Sequence, residues 1–128
     1  MIKTVNAHIY EKLNVLGLIE LRKSIKIKNS PFMDLHVDII SHNIIALAHN
    51  YVHNGDLIAD PDMTIRINYL GKTAEAMTFQ NAFIYTAVYD DQQHASLKTK
   101  NELDNFLNKW LGNLLDQGFQ FRFKIPRL

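Results

Sequence analysis

"PDMTIRINYLGKTAEAMTFQ", residues 61–80, decides the reading of the fold. Met63, Ile65, Ile67 and Tyr69 alternate with Thr64, Arg66 and Asn68 over roughly 63–70, the period-two pattern of a half-buried strand. Gly71 marks a turn, and residues 73–79 resume the alternation. Two such runs with a short link form an antiparallel hairpin, because parallel neighbours need a long crossover. A turn near Gly71 sets Arg66 almost opposite Glu75. Such a cross-strand ion pair contributes a few tenths to about 1 kcal/mol.

Working outward, the same logic extends in both directions. Upstream, Ile25 and Ile27 alternate with Lys26 and Lys28, and "NSP" at 29–31 breaks that strand. Leu35, Val37 and Ile39 form the next one. "SHN" at 41–43 turns it into a third strand over roughly 44–52. Downstream, residues 83–89 follow 73–79 after "QN" at 80–81. At the far end, Phe119, Phe121, Phe123 and Ile125 alternate with Gln120, Arg122 and Lys124 until Pro126.

Helices flank this middle. Ile2, Val5, Ile9, Leu13 and Leu16 keep helical spacing over 2–16, and Gly17 suits a left-handed C-cap. Thr99 and Glu102 have capping-box spacing. Leu103, Phe106, Leu107, Trp110, Leu111, Leu114 and Leu115 then make a wide apolar stripe, with Trp110 read as core. Asp104, Asn105, Asn108, Lys109 and Asp116 fall on the polar side. A meander with one apolar face needs a cover, which two amphipathic helices supply. The expected fold is α+β: one domain over 1–128, an antiparallel meander of about six to seven strands, and an N-terminal and a C-terminal helix.

Composition narrows the function. A chain of 128 residues with 47% hydrophobic and 21% charged residues is globular in type. It has no cysteine, which excludes disulfides, thiolate metal sites and a cysteine nucleophile. No signal peptide is legible, and no apolar run approaches the ~20 residues of a membrane span. The expectation is a cytoplasmic protein with no membrane partner. A net charge of +1 gives no electrostatic mandate for nucleic acid.

"NGDLIADPDM", residues 54–63, holds three aspartates. Counted as an EF-hand loop from Asp56 or Asp60, the twelfth position is Ile67 or Gly71, where glutamate is needed. Asn54-Gly55-Asp56 and Asp60-Pro61-Asp62 read instead as two turns, with an ion site as the competing reading. His49 and His53 would lie roughly 13 Å apart on an extended strand, too far for one metal. His36 and Asp38 share a strand face, but no paired serine or nucleophile elbow accompanies them. His42 falls on a turn tip. No glycine-rich phosphate loop occurs. Neither a cofactor nor a metal site is expected.

Basic residues gather as Arg22, Lys23, Lys26 and Lys28, and as Arg122, Lys124 and Arg127. Protection of sheet edges is the first reading. A nucleic-acid stripe through Arg22, Lys26, Lys28, Arg122 and Lys124 is the alternative.

Three segments carry a family likeness: 61–80, "AVYDD" at 87–91 and "NELDNFLNKWL" at 101–111. Through Pro61, Met63, Thr64, Arg66, Ala74, Glu75, Tyr89, Asp90, Asn105, Phe106, Leu107, Trp110 and Leu111, the chain resembles the uncharacterised YqiB-like family of small bacterial proteins. It departs from that pattern in "YDDQQHASLKTK" at 89–100. The resemblance implies a bacterial cytoplasmic protein and supplies no catalytic residue. Arg66, Glu75, Tyr89 and Asp90 are the candidate binding cluster. The expected function is a non-enzymatic binding or accessory protein with a protein partner, a homodimer included. A small-ligand binder or enzyme built on the four-residue cluster is the alternative, and weak nucleic-acid binding a further one.

Overall fold

The computed structural model describes residues 2–121. In chain order the elements are α1 (Val5–Leu16), β1 (Ile25–Ile27), β2 (Leu35–Ser41), β3 (Ile44–His53), β4 (Asp56–Asn68), β5 (Thr73–Gln80), β6 (Tyr85–Ala87) and α2 (Leu97–Asp116). The six strands form one sheet in the order β1-β2-β3-β4-β5-β6, each pair antiparallel. This is the α+β meander with a helix at each end that the alternation predicts. Leu35, Val37, Leu47, Met63, Ile65 and Ile67 form its buried face, against Ile9, Leu13 and Leu16 of α1 and Leu107, Leu111 and Leu114 of α2. Each fully buried side chain of this size contributes roughly 1.5–3 kcal/mol, so this layer holds the helices on the sheet.

Several boundaries differ from the sequence reading, each for a local reason. Helix α1 starts at Val5 and not at residue 2, because the Thr4 side chain caps it by accepting from the Ala7 N–H at 3.1 Å. Helix α2 is capped by Ser96, whose hydroxyl accepts from the Thr99 N–H, so Thr99 and Glu102 lie inside the helix and not at a capping box. The strand expected over 83–89 contracts to three residues. The Asn81 side chain accepts from the Phe83 and Ile84 amides at 2.9 Å and holds that stretch in a turn.

Asn54 and Gly55, both at positive φ, make the two-residue β3–β4 turn. Asp60-Pro61-Asp62 is not a turn. It lies within β4, where the register against β3 slips between Ala48 and Asn50 and β4 holds one extra residue. Proline has no N–H to give a ladder and is tolerated at such a bulge. The expected strand over 119–125 is irregular at 119–121, and its remainder lies outside the described residues. Phe119 is nevertheless buried, beside His49, which also packs edge-on against Trp110.

Gly17 ends α1 at φ 85° and lies against the chain at Phe121, whose N–H donates to the Leu16 carbonyl at 2.8 Å. A Cβ at Gly17 would overlap the Phe121 carbonyl oxygen. Gly17→Ala is therefore expected to destabilise by at least about 1 kcal/mol, the cost of left-handed backbone alone. Urea unfolding checks this, and a neutral result would show that this junction is not tightly packed.

Candidate functional site

The β4–β5 hairpin pairs Arg66 with Glu75, as the sequence implies. Arg66 Nε donates to Glu75 Oε1 at 2.8 Å, and Arg66 Nη2 also donates to that oxygen. Tyr89 joins them because the Val88 N–H bonds to the Met77 carbonyl, carrying the chain after β6 along β5. Its hydroxyl lies 3.0 Å from Arg66 Nη2 and donates to the Glu75 carboxylate at 3.1 Å. The Arg66 guanidinium also sits 5.1 Å from the Tyr89 ring centre, a cation–π contact.

Two residues that the sequence reading left out complete the cluster. Lys100, in the first turns of α2, donates to Glu75 Oε2 at 3.3 Å and to Asp104 Oδ2 at 2.7 Å. Asp104 is 1% exposed, although the helical pattern puts it on the polar side. Its position explains this. Strand β6 pairs only with Thr78–Gln80, so the first half of β5 has no strand beside it. Asp104 Oδ1 accepts from the Ala76 N–H at 2.8 Å, filling one of those vacant ladder bonds. Asn6 of α1 donates to Asp104 Oδ2 at 3.0 Å and to the Ala74 carbonyl at 2.9 Å, filling another. Both helices are thus tied to the sheet edge through side chains. A signal existed: Asp104 lies one turn from Lys100 and three residues before Leu107, on the flank of the apolar stripe.

The electrostatics of the cluster are self-contained. Burial pushes the Glu75 carboxyl up, but the Arg66 hydrogen bond and charge, the Tyr89 hydroxyl and Lys100 outweigh it and hold Glu75 below the ordinary range. Burial and the Glu75 hydrogen bond raise the Tyr89 phenol. Burial works against the Lys100 cation, but Asp104 and Glu75 more than compensate and raise it. The Glu75 carboxylate and the Lys100 cation are thus both favoured, and the Tyr89 phenol stays protonated at neutral pH. A carboxylate held low and filled with donors is a poor general base.

The fourth predicted member, Asp90, is elsewhere. Its carboxylate accepts from the Gln92 and His94 amides and shapes the exposed turn after Tyr89. His49 is buried, with Nδ1 3.1 Å from the Asp34 carbonyl. His36 lies on the open sheet face, in a row with Lys26, Ala48 and Asp62. Burial raises the Asp62 carboxyl, and the Asp38 charge adds to it. Among the described residues no three His, Asp or Glu side chains gather into a metal-ligand set. Lys26 is exposed on edge strand β1, with Arg22 and Lys23 in the linker before it and Lys28 just after it. Arg122 and Lys124 lie outside the described residues.

Two hollows flank these features. One of about 920 Å³ lies between the end of α1 and the linker to β1, lined by Arg22, Lys23, Ile19, Leu21 and Phe121 among others. The other, of about 660 Å³, opens directly on the ionic cluster, with Arg66, Glu75 and Lys100 on one side and Thr4, Asn43, Asn68, Tyr69, Leu70 and Thr73 around it.

Fold and cluster together define a small α+β protein in which a half-vacant sheet edge is closed by helix side chains. A family profile described as "Domain of unknown function (DUF6908)" matches residues 7–120, and the chain belongs to that family. No curated protein and no solved structure matches. No helix among the described residues is long and apolar enough to cross a membrane.

Asp104→Ala is expected to cost about 3–5 kcal/mol in urea unfolding, since it strips Lys100, Asn6 and the Ala76 amide of one shared acceptor. A loss below about 1 kcal/mol would mean that water replaces the carboxylate readily. The Glu75 contribution has a defined sign. Its folded pKa is depressed, so its stabilisation is complete above the unfolded value of about 4.3 and is lost as pH falls through the lower folded value. Glu75→Gln is expected to flatten the stability curve across that acid window. An unchanged acid limb would contradict the assignment.

Proposed function

We propose that this chain is a non-enzymatic binding protein that works through contact with another protein chain, and that edge strand β6 is its contact surface. The observation that carries this is the difference between the two sheet edges. The β1 edge bears Lys26, with Arg22, Lys23 and Lys28 beside it, the charges that keep strands from adding to an edge. From Asn81 to Tyr89 there is no charge at all. Phe83, Ile84 and Tyr85 are consecutive and 92%, 55% and 64% exposed. Among the described residues no strand lies beyond β6. Because Val88 donates to β5, alternation turns the backbone groups of Tyr85 and Ala87 outward.

The partner we propose is a second copy of the chain, paired β6 to β6 about a two-fold axis. An uncharged edge meets itself without repulsion, whereas the lysine-bearing β1 edge does not. The self-contained ionic cluster supports the non-enzymatic part of the reading. The likeness of segments 61–80, 87–91 and 101–111 to the YqiB-like family supports a bacterial, cytoplasmic setting. Sedimentation equilibrium is expected to give a dimer dissociating in the micromolar range, where association is worth about 8 kcal/mol. Phe83→Glu and Ile84→Lys are each expected to give folded monomers by circular dichroism. A wild-type protein still monomeric at about 100 µM, or a dimer untouched by both variants, would overturn the proposal.

A further inference from the structure

The 660 Å³ cleft beside the ionic cluster falls within the 300–1,000 Å³ typical of small-molecule sites. Its polar lining is one-sided in a way the family match does not explain. The carboxylate acceptor and most of the others around it are already used, with Asn6 Oδ1 and the Tyr69 and Thr73 hydroxyl oxygens as the exceptions. Glu75 accepts from Arg66, Tyr89 and Lys100. Asn68 Oδ1 accepts from the Gly71 N–H at 2.9 Å, and Asn43 Oδ1 from the Ser41 hydroxyl at 3.3 Å. The Thr4 hydroxyl oxygen accepts from the Ala7 N–H.

What remains around the cleft is mainly donors, the charged ones among them. Arg66 spends Nε and Nη2 on Glu75 and Tyr89, and its Nη1 group has no protein acceptor among the described residues. Lys100 uses two of its three protons. The side-chain amides of Asn43 and Asn68 keep their N–H groups, and the Thr73 hydroxyl makes no bond to another described residue. Helix α1 also begins at the rim, at Thr4, with its positive end toward the cleft.

We infer that this cleft is a binding site for the oxyanion group, carboxylate or phosphate, of a small molecule, held by Arg66 Nη1, Lys100, Thr73 and the amides of Asn43 and Asn68. The charges of Arg66 and Lys100 are balanced by Glu75 and Asp104. The ligand is therefore held by directed hydrogen bonds more than by net charge, and its binding depends only weakly on ionic strength. This site is independent of the β6 edge.

Inorganic phosphate and acetate, titrated separately into the ¹⁵N-labelled protein, test it by amide NMR, with sodium chloride at matched ionic strength as control. The expected result is saturable shifts confined to residues around 4–6, 43, 66–75 and 100, which sodium chloride does not reproduce. Shifts with phosphate alone assign a phosphate site, and shifts with both assign a general oxyanion site. Arg66→Gln disturbs the cluster itself, so the decisive variant is Thr73→Val, which keeps the shape and removes one donor. It is expected to weaken binding about tenfold. Shifts that are absent, that follow sodium chloride, or that are unchanged in affinity in Thr73→Val overturn the inference.

Discussion

The buried Asp104 carboxylate is the interaction on which the other features depend. An ionised carboxylate inside a protein is costly unless every lone pair has a partner. Asp104 has three donors from three directions: the Ala76 amide of β5, Asn6 of α1 and Lys100 of α2. The last is a cation that offsets the charge. With these in place the carboxylate substitutes for a missing strand, and both helices are fixed against the sheet edge. The apolar layer beneath supplies most of the attraction, but it is non-directional. The Asp104 bonds set how the helices sit.

The polar cluster follows from that anchor. Lys100 is held between Asp104 and Glu75, so the contact that ties α2 to β5 also gives the Glu75 carboxylate a second cation on the side away from Arg66. The result is a cluster whose two carboxylates are each filled with donors, while Arg66 and Lys100 keep N–H groups to spare. Such a site is suited to holding an acceptor-rich group and unsuited to taking protons from one. The sheet ends in two unlike edges, one basic at β1 and one without charge from Asn81 to Tyr89.

Much of the fold was legible because it rests on local periodicity. Alternation in 61–80 gave the central hairpin and the facing of Arg66 and Glu75, and the 103–115 stripe gave the C-terminal helix. What was not legible depends on non-local geometry. Asp104 reaches the Ala76 amide because β6 ends at Ala87, opposite Thr78, and after Val88 the chain folds back on itself through the Ser96–Val88 and Asp90–His94 backbone bonds and does not continue along β5. Within 101–111 the flank position of Asp104 is the one hint of burial, and the vacancy it fills lies on another strand. Lys100 was missed for the same reason. Asp90 was grouped with Tyr89 by adjacency, yet neighbours along an extended chain point to opposite faces, and its carboxylate closes its own turn. At 60–62 the proline signal was real, but a bulge and not a turn absorbed it.

The most direct test of the account is native-state hydrogen exchange at the Ala76 amide. That N–H lies on the half of β5 with no neighbouring strand, and its acceptor is the Asp104 side chain. If Asp104 is the anchor described, Ala76 exchanges only on global unfolding, as slowly as the core amides of β4. Exchange orders of magnitude faster, at the rate of a frayed sheet edge, would show that the carboxylate bond is not held and that the helices are fixed by apolar packing alone.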